Sequence, residues 1–86
     1  MASGKYDDKR KPSDKLLEIL ARNVKHLRVG CGLTQEALGE VCNFHPTFIS
    51  LIERKKRNVT ISTLEIIAGA LEVEPFELLK DALRDD

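Results

Sequence analysis

The twenty residues from 34 to 53, TQEALGEVCNFHPTFISLIE, constrain this chain more than any other stretch. They read as two short helices joined by a tight turn. Thr34 is a good N-cap, because its hydroxyl oxygen can take an orphan amide of the first turn, and Glu36 sits where the helix dipole favours a carboxylate. Leu38, Val41 and Cys42 recur on one apolar side. Asn43 then breaks the run, since Asn tolerates the left-handed backbone that ends many helices, and Phe44 follows as an apolar plug. The second helix opens at His45. Pro46 suits its first turn, where no backbone N–H is needed, and Phe48, Ile49 and Ile52 fall on one face at helical spacing. Thr47, Ser50, Leu51 and Arg54 are left outward, with Lys55, Lys56 and Arg57 directly after. A short helix with small polar side chains and a cationic end is suited to a DNA groove.

These residues resemble the helix-turn-helix of the Cro and lambda-repressor-like (XRE) family. The matching pieces are Leu27 and Arg28 closing a first helix, Gly32, Leu33, Thr34 and Gln35 opening a second, and Phe48, Ile49, Ser50, Ile52 and Glu53 in a third. A basic loop and a helix with Leu64, Ile67, Ala68 and Leu71 complete the pattern, which runs from about Leu20 to Leu79. Within the family the chain is most similar to small single-domain regulators, including the controller proteins of restriction-modification systems. The resemblance implies an all-α, compact five-helix lambda-repressor-like DNA-binding domain whose helix-turn-helix is formed by helices 2 and 3. It implies a structural ion pair between Arg28 and Glu53, a backbone phosphate contact from Gln35, and pairing of two copies through the last helix. Three positions depart from the pattern. Pro46 stands where controller proteins often carry a base-reading arginine, so their operator sequence does not transfer. Lys55 replaces a usual glycine, and a left-handed backbone there would strain it by roughly 1 kcal/mol. Gly39 replaces a usual alanine at a similar cost in helix propensity, while keeping the helix–helix approach small.

A chain of 86 residues suits one domain, small enough to profit from self-association. No apolar run approaches a membrane span and the N-terminus has no apolar signal region, so a cytoplasmic location with Cys31 and Cys42 reduced is expected. The net charge of zero hides a polarity. Residues 1–62 carry 12 Lys and Arg against 7 Asp and Glu, a net of +5, whereas residues 63–86 carry 2 against 7, a net of −5. The positive part contains the helix expected to read DNA.

Residues 1–12 lack apolar periodicity and are expected to form a mobile basic N-terminal arm; its Lys9, Arg10 and Lys11 can either reach DNA or serve as a solubilising tail. Residues 13–86 form the single domain. Ser13 or Asp14 can cap a first helix carrying Leu16, Leu17, Leu20, Val24 and Leu27. Thr60 can cap a fourth, with Ile61, Leu64, Ile67, Ala68 and Leu71 as its buried face. A fifth is expected from Pro75 to about Leu83. Its Phe76, Leu79 and Leu83 offer more apolar surface than one small core requires, and a homodimer interface is the outlet favoured over closure of the monomer core.

The chemistry of DNA contact falls to a defined set of side chains. Thr34 and Gln35 open the second helix, where amides and dipole favour a phosphate. Thr47 and Ser50 can bond base edges or phosphates, and Leu51 can pack on thymine methyls or on a partner protein. His45 can donate to a phosphate or cap its own helix, with Pro46 beside it. Arg54, Lys56, Arg57 and Asn58 are phosphate contacts by type, which give affinity that falls with salt but little sequence information. His26, Cys31, Cys42 and His45 make a poor zinc set, with neither a CxxC pair nor paired ligands on both sides. The chain has no glycine-rich phosphate loop and no nucleophile elbow, so neither catalysis nor a cofactor or small-molecule ligand is expected. The expected partners are double-stranded DNA, a second copy and, for an activator, RNA polymerase. The competing reading is a protein-interaction module on the same scaffold, such as an antitoxin or co-regulator.

Overall fold

The computed structural model describes residues 11–81. Four α-helices follow one another, α1 (Asp14–Gly30), α2 (Gln35–Cys42), α3 (Pro46–Glu53) and α4 (Ile61–Ala70), and a 3-10 helix, Pro75–Leu79, ends the described chain. No strand occurs among the described residues. Lys9 and Arg10 of the expected arm, and Leu83 at the other end, lie outside them.

Each α-helix stops by the same device. A residue one or two positions past the end turns left-handed, and the next amide reaches back five residues to close the last carbonyls. Gly32 does this after α1 (φ 73°), Asn43 after α2 (φ 60°), Lys55 after α3 (φ 62°) and Glu72 after α4 (φ 60°). The closing bonds run from Leu33 N to Arg28 O (3.0 Å), Phe44 N to Gly39 O (2.7 Å), Lys56 N to Leu51 O (2.8 Å) and Val73 N to Ala68 O (2.9 Å). Two of the four positions use a lysine and a glutamate, residues with no intrinsic taste for that backbone. Starts are set by side chains. The Thr34 and Thr60 hydroxyls accept from Ala37 N and Thr63 N, and His45 Nδ1 accepts from Thr47 N. The start of α1 departs from expectation, because Ser13 is itself left-handed and its side chain caps nothing.

One core joins all five elements. Leu20 and Val24 come from α1, Leu38 and Cys42 from α2, Ile49 and Ile52 from α3, Leu64, Ile67 and Ala68 from α4, and Leu71 and Leu78 from the C-terminal part. Three apolar residues expected inside are outside. Val41 is 61% exposed, since α2 is only two turns long and meets its neighbours on the Leu38 and Cys42 side. Ile61, the first residue of α4, is 75% exposed, and Leu16 is also open to solvent. Both rim an apolar groove that Leu20, Val59, Leu64 and Leu79 complete.

The fifth expected helix is a correction. Glu74 and Glu77 form the capping box that starts it, but Lys80 is already extended (φ −85°, ψ 128°), so only the 3-10 helix Pro75–Leu79 results. Its free carbonyls are bonded from outside: Asn23 Nδ2, buried on α1, donates to Leu78 O (2.9 Å) and Lys80 O (2.8 Å), with Glu77 O at 3.3 Å. A terminus whose carbonyls are satisfied by another helix has no need to continue its own ladder. No described helix is long and apolar enough to cross a membrane.

Candidate nucleic-acid interface

The last turn of α1 carries Arg28, which is almost entirely inside the protein. Its Nε donates to Glu53 Oε2 at 2.7 Å and its Nη2 to Glu53 Oε1 at 3.0 Å, while Nη1 donates to the carbonyl of Leu33 at 2.8 Å. The two side chains are 11% and 5% exposed. Gln35, the first residue of α2, donates from Nε2 to the same Glu53 Oε1 at 3.1 Å. One carboxylate at the end of α3 therefore gathers α1, α2 and the α1–α2 turn. The hydrogen bonds that Arg28 donates to Glu53 push its guanidinium above its ordinary range; burial works against them and the carboxylate's charge works with them. Glu53 is thus already spent on a cation, and its charge is largely neutralised before any phosphate arrives.

The α2–α3 turn is held at the level of the backbone. A Cβ on Gly39 would lie 2.8 Å from the Phe44 carbonyl oxygen and 3.4 Å from Pro46 Cα, so a shift would be needed to admit even alanine. The requirement is stricter than a merely small residue. Past the turn, the Phe44 and Phe48 rings meet edge to face, 5.1 Å between centroids and at 76°. The Arg57 guanidinium lies 5.4 Å from the Phe48 centroid, a cation–π distance that lays a loop cation alongside α3 four residues after the helix has ended.

Against that frame the residues expected to touch DNA fall into three groups. Thr47 is exposed on α3, with Ser50 and Leu51 half-buried beyond it. Arg54, Lys56, Arg57 and Asn58 are all exposed in the segment that follows, Asn58 using its Oδ1 to accept from Val59 N at 2.8 Å. Thr34, Gln35, His45 and Pro46 sit at helix starts and already have local work. Thr34 and His45 cap α2 and α3, Gln35 bonds Glu53, and Pro46 packs over Gly39. A hydroxyl that accepts can still donate, and an amide that donates once has a second N–H, so these roles leave donors over. At the far end Phe76 is 65% exposed and Leu79 half-buried in the apolar groove.

Cys31 and Cys42 are both free thiols, the first exposed and the second buried; burial pushes the Cys42 thiol up, which keeps it protonated and unreactive. Among the described residues no group of three or more His, Cys, Asp or Glu side chains is placed to hold a metal ion. Sequence reasoning passed over Asn23. Its signal was present: a polar residue three positions after Leu20 and one before Val24, inside the apolar stripe of α1.

The helix-turn-helix family HTH_3 matches residues 24–78. The control protein C.SmaI of Serratia marcescens is 50% identical over 62 residues, 72% of this chain and 74% of that one. The control protein C.BamHI of Bacillus amyloliquefaciens is 39% identical over 62 residues, 71% and 76% of the two chains. Among solved structures, the restriction-modification controller protein C.Esp1396I superposes with a TM-score of 0.72 at 43% identity, over 83% of this chain and 96% of that one. The same protein has also been solved as a tetramer in complex with its natural 35 base-pair operator (TM-score 0.67, 41% identity, 76% and 96% covered).

Proposed function

The chain belongs to the HTH_3 helix-turn-helix family, and on that premise we propose that it is a sequence-specific, double-stranded DNA-binding transcriptional regulator of the controller type. It works as a homodimer in the cytoplasm, with α3 of each copy in the major groove. The observation that carries this reading is the buried Arg28–Glu53–Gln35 cluster. It holds α1, α2 and α3 as one rigid unit, and the outward side of that unit presents Thr47, Ser50 and Leu51 next to four consecutive cations, Arg54 to Arg57. Hydroxyls and a methyl-bearing side chain read base edges, while the cations hold the backbone. The remaining N–H of Gln35 and the N-terminus of α2 suit a second phosphate. Arg57, steadied over Phe48, needs less ordering on binding than a free surface arginine.

The assembly of C.Esp1396I on its operator supports more than one copy per site. Phe76 and Leu79 are the pairing surface of this chain. Two-fold pairing sets the two α3 helices on half-sites about one or two helical turns apart. Occupying an operator represses; activation would add a contact to RNA polymerase. The role is non-catalytic.

The test separates reading from holding. Thr47→Ala should change base preference at one position per half-site, by about 1–3 kcal/mol, whereas Arg57→Ala should weaken binding to every duplex and lower the salt slope by about one. Both are measured by titrating fluorescent duplexes at several salt concentrations. If neither substitution alters DNA binding, the scaffold serves protein recognition, as an antitoxin or co-regulator would.

A further inference from the structure

We infer that Asn23 is a positioning residue for subunit pairing, fixing from α1 the angle at which the C-terminal 3-10 helix presents Phe76 and Leu79 to a second copy. The inference rests on the proposed pairing surface. Asn23 is 4% exposed, and its amide nitrogen faces the carbonyls of Glu77, Leu78 and Lys80 at 3.3, 2.9 and 2.8 Å. A five-residue 3-10 helix cannot close its own last carbonyls, so without this donor Leu78 still anchors the segment in the core but its polar end is held to α1 only by the outer Arg22–Asp81 pair. The neighbouring residue reinforces the clip: Arg22 Nη2 meets Asp81 Oδ1 at 2.7 Å. Phe76 itself is in the turn that the clip holds, and it is open to solvent.

Position on α1 gives the clip its consequence. Arg28, five residues later on the same helix, fixes α3 through Glu53. The rise of an α-helix puts these two clamps about 7.5 Å apart along its axis. α1 therefore carries both clamps, Arg28 in its last turn bonding α3 and Asn23 near its middle bonding the C-terminal segment. The distance between two α3 helices in a dimer is set partly by the Asn23 bonds, and through it the half-site spacing the protein prefers.

The test uses the full chain, Asn23→Ala and the milder Asn23→Ser, which keeps one donor. The probe is the duplex that the parent selects from a random pool, offered whole, cut to one half-site, and with its half-sites moved by single base pairs. Asn23→Ala should melt cooperatively, keep half-site affinity within about twofold of the parent, and lose about tenfold in self-association measured by sedimentation. Its preference among spacings should broaden, with Asn23→Ser between the two. Fusing two Asn23→Ala copies through a flexible linker should restore whole-site affinity but not the narrow spacing preference. Unchanged self-association and spacing would overturn the inference. So would half-site affinity falling in step with whole-site affinity, or loss of cooperative melting in both variants, since each makes Asn23 a general core residue. Failure of the parent to self-associate or to select a two-fold site would instead refute the pairing reading on which it stands.

Discussion

At the α2–α3 end, helix starts and stops are closed by Thr34, His45, Asn43 and Lys55, and what remains outward is Thr47, Ser50 and a run of cations. At the C-terminal end, a single 3-10 helix leaves Phe76 largely open, close in sequence to Leu79 in a groove that Ile61 and Leu16 rim. Both ends hang on α1 by buried polar bonds, Arg28 at one and Asn23 at the other. They differ in the surface left over. Hydroxyls and cations are content in water and lose little by waiting for a phosphate. Exposed Phe and Ile gain about 25 cal/mol for each Å² removed from water, so that end is stabilised by a cover. A small domain with one core can thus divide its surface into a part suited to reading and a part suited to pairing.

The sharpest way to break that comparison is to remove the clamp under the reading end. Glu53→Ala leaves Arg28 buried without its carboxylate, and urea unfolding should show a loss of about 3–5 kcal/mol. The same substitution frees Gln35, so DNA affinity should fall even where the fold persists. Gly39→Ala comes next. Helix propensity favours it by about 1 kcal/mol, but its methyl would press on the Phe44 carbonyl; a net destabilisation of about 1–2 kcal/mol is expected in the same assay. At the other end Phe76→Ser should leave monomer stability within about 0.5 kcal/mol while weakening self-association about tenfold by sedimentation. A large loss of monomer stability would mean that Phe76 belongs to the core and that the two ends are not distinct. The smallest effect is a gain: Glu72→Gly relieves a left-handed glutamate and should raise stability by about 0.5–1 kcal/mol in thermal melts, without touching DNA binding.

The α2–α3 end was far more legible in the sequence than the C-terminal end. Thr34, Asn43, Pro46 and Thr60 act locally, through bonds within a few residues, and local chemistry is what a sequence displays. The starts of α2, α3 and α4 follow from it, and the apolar spacing of Leu20, Val24, Leu38, Ile49, Ile52 and Leu64 locates the core. Lys55 adopts the left-handed backbone that its place in the pattern suggested. The errors sit where distant contacts decide. Val41 and Ile61 have the right residue type for a core, yet Val41 lies on the open side of α2 and Ile61 only rims a groove. The fifth helix stops after five residues because Asn23, more than fifty positions earlier, takes its carbonyls. Ser13 turns left-handed instead of capping.

On the proposed function, α3 reads sequence and the C-terminal end sets two copies on one site. Selection of tight binders from a random duplex pool at near-physiological salt, followed by sequencing, tests both parts at once. An inverted repeat with half-site centres about one or two helical turns apart is the expected result. A pool with no common sequence, held only at low salt, would contradict it and leave this face with electrostatic attraction alone.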